Sequence, residues 1–181
     1  AKTSVVKPDG VTAADPFNMG AGRVDLTKVF SAGLVLDETI PNFVNANPSA
    51  GGNPATLNIA SAANESCPVE CTWTRTVKNT LSVPATWNVS GSTSPVTVTA
   101  TPASFTIPAG GTQVITIKAN VAGQPIDGVW KFGEFRLTEA ASRAPAVHFP
   151  IAVKASAGGV PESVSATTRR DSGMVTAGGF S

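Results

Sequence analysis

Side chains able to do chemistry are few in this chain, and they do not cluster. The one histidine, His148, lies in the run AVHFPIAV. Val147, Phe149, Ile151 and Val153 share one parity there, so His148 falls on the opposite, solvent-facing side of a strand. Nucleophilic hydrolysis by a serine needs a histidine that takes the hydroxyl proton and an acid that orients the ring. No G-x-S-x-G elbow supplies such a serine. Asp9, Asp15, Asp25 and Asp37 are scattered among turns and a cap, and Glu134 and Glu139 flank a strand end. Acids that act as a pair need a defined separation across a cleft, and no spacing here marks one. Gly20-Ala21-Gly22 is a tight backbone passage without the strand-loop-helix surround of a phosphate site. No residue is therefore assigned a catalytic or cofactor-binding role.

The metal-ligating types are equally sparse. No cofactor is expected, and calcium held by Asp37, Asp127 and neighbouring asparagines is the weak alternative, since the clustered acidic loop of such a site is absent. Cys67 and Cys71, in SCPVECTW, suit a small disulfide-closed loop at a strand entrance. Two free thiols are the alternative, and a lone C-x3-C without a nearby histidine is not a metal site. A bridge across so short a loop contributes ~2 kcal/mol in the chain-entropy account. It also implies an oxidising compartment, hence export and a secreted, extracellular location. Asn64-Glu65-Ser66 and Asn88-Val89-Ser90 match a glycosylation acceptor, a pattern common by chance.

The elements that must position these residues are strands. In Val96–Val121, Val96, Val98 and Ala100 face one way, then Phe105 and Ile107. After the turn Pro108-Ala109-Gly110-Gly111, Ile115, Ile117, Ala119 and Val121 line one face. Period-two alternation marks strands with one buried side. Similar runs are expected at Thr56–Ala60, Thr72–Asn79, Val83–Ser90, Trp130–Thr138 and Ala146–Lys154. Trp87 and Val89 share a face in the third of these. Arg75 shares a face with Trp73 and Val77, which calls for a bulge or for the guanidinium over the Trp73 ring. Many short strands with turn signals predict an all-β fold, a fibronectin-III- or immunoglobulin-like β-sandwich. The chain has no tyrosine, so the tyrosine corner of antibody domains is excluded. Its two cysteines are too close in sequence to bridge two sheets. One or both of Trp130 and Phe132 are expected in the core, with an exposed contact patch as the alternative.

Composition agrees. Hydrophobic residues are 41%, enough for a core, and only 14% are charged. A net charge of +1 gives no electrostatic reason to expect nucleic acid. No apolar run approaches the length of a membrane span, and Ala1-Lys2-Thr3 reads like the start of an excised piece.

Before the sandwich, Asp25 is placed to cap a short helix through Leu26, Val29 and Phe30 that Gly33 ends. A helix so short needs a partner surface for its apolar side, Val24 included. Residues 15–37 contain F-N-M-G-A-G-R-V-D-L-T-K-V-F-S-A-G-L-V-L-D. This resembles the end of the peptidase domain of subtilisin-like serine proteases (subtilases), departing at Arg23 and Val29, where histidine and alanine are more frequent. The sandwich half is similar to the same family. Thr74-Arg75-Thr76-Val77-Lys78-Asn79 fits the T-R-T-V-x-N strand of its fibronectin-III-like domain. The V-T-V-x-x-x-P-x-x-F-T-I-x-x-G run and Phe149-Pro150-Ile151-Ala152-Val153 fit as well. The two matches cover about residues 15–154, in the family's order.

The resemblance implies four stretches. Residues 1–39 end a subtilisin-like peptidase domain, 40–55 are a Pro/Asn/Gly linker, and 56–154 are the sandwich. Residues 155–181 are a linker or the start of a further domain, with a strand expected at Ser163–Thr168 and a solvated Arg169-Arg170 pair. The parent would hydrolyse peptide bonds with a triad carried upstream, since no G-T-S-M-A-type segment occurs here. This chain would then be inactive alone and would brace the peptidase domain, aiding substrate placement or oligomer contacts. Its partners would be that domain and a protein or peptide substrate. The competing expectation is a free-standing extracellular binding or adhesion module, whose first forty residues form a strand of the sandwich or stay disordered. A structural domain of a surface filament is a third.

Overall fold

The structure, a computed structural model, describes residues 5–22 and 25–158. Nine strands occur among the described residues, and the seven from Glu70 onward follow from the alternation. They are β1 (Leu34–Leu36), β2 (Ala62–Cys67), β3 (Glu70–Asn79), β4 (Ala85–Gly91), β5 (Thr97–Thr101), β6 (Ser104–Ile107), β7 (Thr112–Asn120), β8 (Lys131–Glu139) and β9 (Val147–Ala155). One sheet runs β1-β3-β7-β5 and the other β2-β9-β8-β4-β6. The central pair, β3 with β7, is antiparallel and in continuous register from Glu70↔Asn120 to Lys78↔Thr112. The facing sides meet in a core of Trp73, Val77, Trp87, Ile115, Ile117, Phe135, Leu137, Ile151 and others. Phe135 and Phe149 stack there with centroids 4.4 Å apart. Gly110 takes φ +67° in the β6–β7 turn, a conformation a side chain at that position would resist.

Several expectations are corrected. Thr56–Ala60 is not a strand: Pro54–Thr56 is a 3-10 turn, and the edge strand begins at Ala62. Asn58 explains the difference. Its side-chain amide accepts from Thr76 N (2.7 Å) and donates to Thr76 O (2.8 Å), so a side chain stands where a ladder would. No bulge relocates Arg75, and its guanidinium is not spent on Trp73. It is 2% exposed and donates to the carbonyls of Ile59 (2.8 Å), Ser61 (2.6 Å), Ala55 (3.3 Å) and Thr74 (2.7 Å). Residues 55–61 are therefore fastened to the edge of β3 by two polar side chains.

The segment ahead of the sandwich also differs from expectation. Asp25 caps as predicted, accepting from Thr27 N at 3.1 Å, but the turn it starts, Leu26–Ser31, is 3-10. Gly33 does not end it by a left-handed twist. A Cβ there would lie 2.5 Å from that of Ala144 and 2.9 Å from the Trp87 ring, so close packing requires glycine. Leu34–Leu36 pairs with Asn79–Val77 and belongs to the sandwich. Inside 40–55 stand α2 (Ile40–Asn45), capped by Thr39, and the 3-10 turn Pro48–Ala50. Further upstream is α1 (Pro16–Met19), a single turn closed by a capping box between Asp15 and Asn18. Val24, Arg23, Ser163–Thr168 and Arg169-Arg170 lie outside the described residues.

Candidate docking surfaces

His148 lies on the outer face of its sheet, as parity requires. A cavity of about 370 Å³ beside it is lined by Asp15, Ser92, Ser94, Phe132, Glu134 and His148 among others, so a serine, an acid and the histidine do share a wall. Their hydrogen bonds serve other ends. His148 Nε2 is 2.8 Å from the carbonyl oxygen of Ala21. A carbonyl only accepts, so that nitrogen carries the proton and cannot receive one from a serine. Ser92 Oγ donates to Val96 O (2.9 Å) and accepts from Glu134 N. Asp15 caps α1 and pairs with Lys7 at 2.9 Å. Lys7 is also what chiefly holds the Asp15 carboxyl below its ordinary value. No serine hydroxyl is bonded to the ring among the described residues.

Cys67 and Cys71 are joined in a disulfide with Cα atoms 5.6 Å apart, and both are buried. Contrary to the expectation from their spacing, the bridge joins the two sheets: Cys67 ends β2 in one, Cys71 lies in β3 of the other, and only Pro68 and Val69 separate the two strands. Trp130 and Phe132 are not in the core. They lie half-buried on the outer face of the second sheet, against a ring contributed by the N-terminal segment. Phe17 stands edge-on to Trp130 (4.9 Å) and to Phe132 (5.6 Å), and Lys154 Nζ is 4.8 Å from the Trp130 centroid. No group of histidine, cysteine and acids able to hold a metal occurs among the described residues, and no described helix is long and apolar enough to cross a membrane.

The most open apolar surface was not singled out by parity. Leu26, Val29 and Phe30 are 73%, 53% and 101% exposed, and Ile40, Phe43 and Val44 of α2 are exposed too. All six belong to the short capped elements on either side of β1. Three buried polar residues were likewise missed as a set: Arg75, Asn79 and Glu139. Asn79 Nδ2 donates to the carbonyls of Val83, Ile107 and Pro108. Burial pulls the Arg75 guanidinium below its ordinary value, with Glu38 opposing. The Arg143 side chain, then the Arg143 main-chain N–H, hold the Glu139 carboxyl low. These three brace strands and turns. The pattern T-R-T-V-K-N carried two of them in plain view.

The sequence pattern of the fibronectin type-III domain matches residues 56–153. The chain belongs to that family. Its fibronectin type-III domain spans β2 to β9, and β1 adds a strand from outside the match. No curated protein matches the chain. Among solved structures it is similar to the PapD-like domain 7 of human CEP192, at 11% identity over 77% of this chain and 97% of that one, TM-score 0.47. The CupB2 chaperone of Pseudomonas aeruginosa is 18% identical over 51% and 53% of the two chains, TM-score 0.40. A FixG-related protein from Vibrio parahaemolyticus is 14% identical over 67% and 92%, TM-score 0.40. The chain spans about half the length of the CupB2 chaperone. With every TM-score below 0.5, these likenesses carry no argument about this chain.

Proposed function

We propose that this chain is the non-catalytic C-terminal region of a secreted subtilisin-like serine endopeptidase, bracing the peptidase domain through the apolar surface on 26–44. The observation that carries the reading is the exposure of Leu26, Val29 and Phe30 on a capped turn tied to the sandwich by β1. Apolar side chains held in that way on a built element are a docking surface more often than an accident. They occur in the stretch that resembles the end of a subtilase peptidase domain, which gives the partner its identity. The buried disulfide supports export. Substrate placement and oligomer contacts belong to the same reading, since a braced domain presents its cleft in one orientation.

The test compares this chain with the protein that includes the sequence encoded ahead of Ala1, in a peptide-hydrolysis assay. The longer protein is expected to cleave and to be stopped by a serine-directed inhibitor, and this chain alone is expected not to cleave. Cleavage by this chain alone, insensitive to that inhibitor, overturns the proposal. A second reading is favoured by one feature: Leu34–Leu36 is a strand of the sandwich, as a free-standing extracellular binding module would have it. An upstream frame without a G-T-S-x-A segment decides for that module.

A further inference from the structure

We propose that Trp130 and Phe132 form a receptor notch for the chain's own N-terminal strap, residues 15–22, which docks and releases separately from the sandwich. The occupant is seated in the structure. Asp15 accepts from Phe17 N and Asn18 N, and Asn18 Oδ1 accepts from Asp15 N, so the single turn satisfies its own polar groups, but a turn so short needs its seat on the sheet to persist. That closure holds Phe17 outward from the turn, against the two rings. At the far end of the strap, His148 donates to the Ala21 carbonyl. Between these points Pro16, Phe17, Gly20 and Ala21 share a small cavity with Pro150 and Ala152 of β9. Ala152 faces outward on its strand and is nonetheless only 4% exposed.

The strap is a second attachment and not a continuation of the first. Downstream of it, β1 joins the opposite sheet through β3. The N-terminal segment thus grips the sandwich on both sheets, and polypeptide ahead of Asp15 meets it at the outer face of the second. Phe17 is still 58% exposed. A contact so open is one that can be lost while the core stays folded. The inference goes beyond the reading as a protease tail and does not rest on it, because every contact lies within this chain.

Hydrogen exchange on this chain tests it. Met19 N and Gly20 N are bonded to Asp15 O and Pro16 O, and they report strap closure. Two edge-on aromatic pairs of ordinary strength protect by about tenfold, so Phe17→Ala should speed exchange at these amides by about that factor. The β3–β7 amides should be unchanged. Acrylamide quenching supplies a second readout, because Trp73 and Trp87 are 3% and 0% exposed and Trp130 is the accessible tryptophan. Quenching should rise in Phe17→Ala and stay constant in Phe30→Ala. Trp130→Phe keeps a ring in the notch and should preserve strap protection, whereas Trp130→Ala should not. Unchanged strap exchange in both Phe17→Ala and Trp130→Ala overturns the proposal. So does acceleration that reaches the β3–β7 amides equally, since the strap would then not be a separate unit.

Discussion

Arg75 brings a charge into the protein and finds main-chain carbonyls as its hydrogen-bonding partners. Four of them converge on one guanidinium, three from residues 55–61. The planar fork suits that task and an ammonium does not. Arg75→Met should destabilise the chain by about 3 kcal/mol in urea denaturation, since hydrogen bonds to a charged group are lost and buried acceptors are stranded. Arg75→Lys should recover only part of the loss. Gly33 is the other position where one atom decides. An added methyl meets Ala144 and Trp87 at distances real Cβ atoms do not show. Gly33→Ala should lower the denaturation midpoint, with an overpacking cost of about 1–3 kcal/mol.

At the scale of elements, the end of β8 is held by one carboxylate. Glu139 accepts from Ala141 N (2.9 Å), Arg143 N (2.8 Å) and the Arg143 guanidinium (2.6 and 3.0 Å). Its folded pKa is depressed from the ordinary 4.5, so it contributes stability above that value and loses it as pH falls through the folded value. Thermal melts should show Glu139→Gln less stable than wild type at pH 7, with the difference shrinking as pH falls from the ordinary 4.5 toward the lower folded value. The start of β3 is held by the disulfide. Replacing both cysteines by serine should cost about 2 kcal/mol if chain entropy dominates, readable in the same melts.

Strand assignment from alternation succeeded where one side chain faces in and the next faces out, as from Val96 to Val121. It failed at Thr56–Ala60 because the partners of that stretch, Asn58 with Thr76 and Arg75 with Ile59, bond through side chains that periodicity does not register. It was silent on Gly33, whose constraint comes from Ala144, more than a hundred residues away. At the candidate site the reading of His148 as outward-facing followed from parity alone. The contact of Phe17 with Trp130 and Phe132 had no local signal, since both rings sit on the face that alternation assigns to solvent.

For the whole molecule, the decisive property is an apolar surface that is exposed among the described residues. Phe30 touches no other ring among the described residues and is fully exposed, so Phe30→Asp should leave the thermal stability of this chain unchanged. If the chain is the tail of a longer protease, as proposed, the same change in that protein should lower thermal stability and increase release of the sandwich by limited proteolysis. Equal melting of the longer protein with and without the substitution would remove residue 30 from the joint. The strap and β1 then matter together, because two attachments on opposite sheets leave little freedom for the direction in which upstream chain arrives.

The parallel pairing of β2 with β9 joins Ala62 to Ile151 and Cys67 to Ala155. Ribosomes build chains from the N-terminus, so β2 is finished on the order of ten seconds before its neighbour exists, at the usual elongation rate. During that wait β2 has no ladder to join, because its neighbour in the sheet is β9. A chain truncated ahead of Val147 never ends the wait, and its β2 stays unpaired.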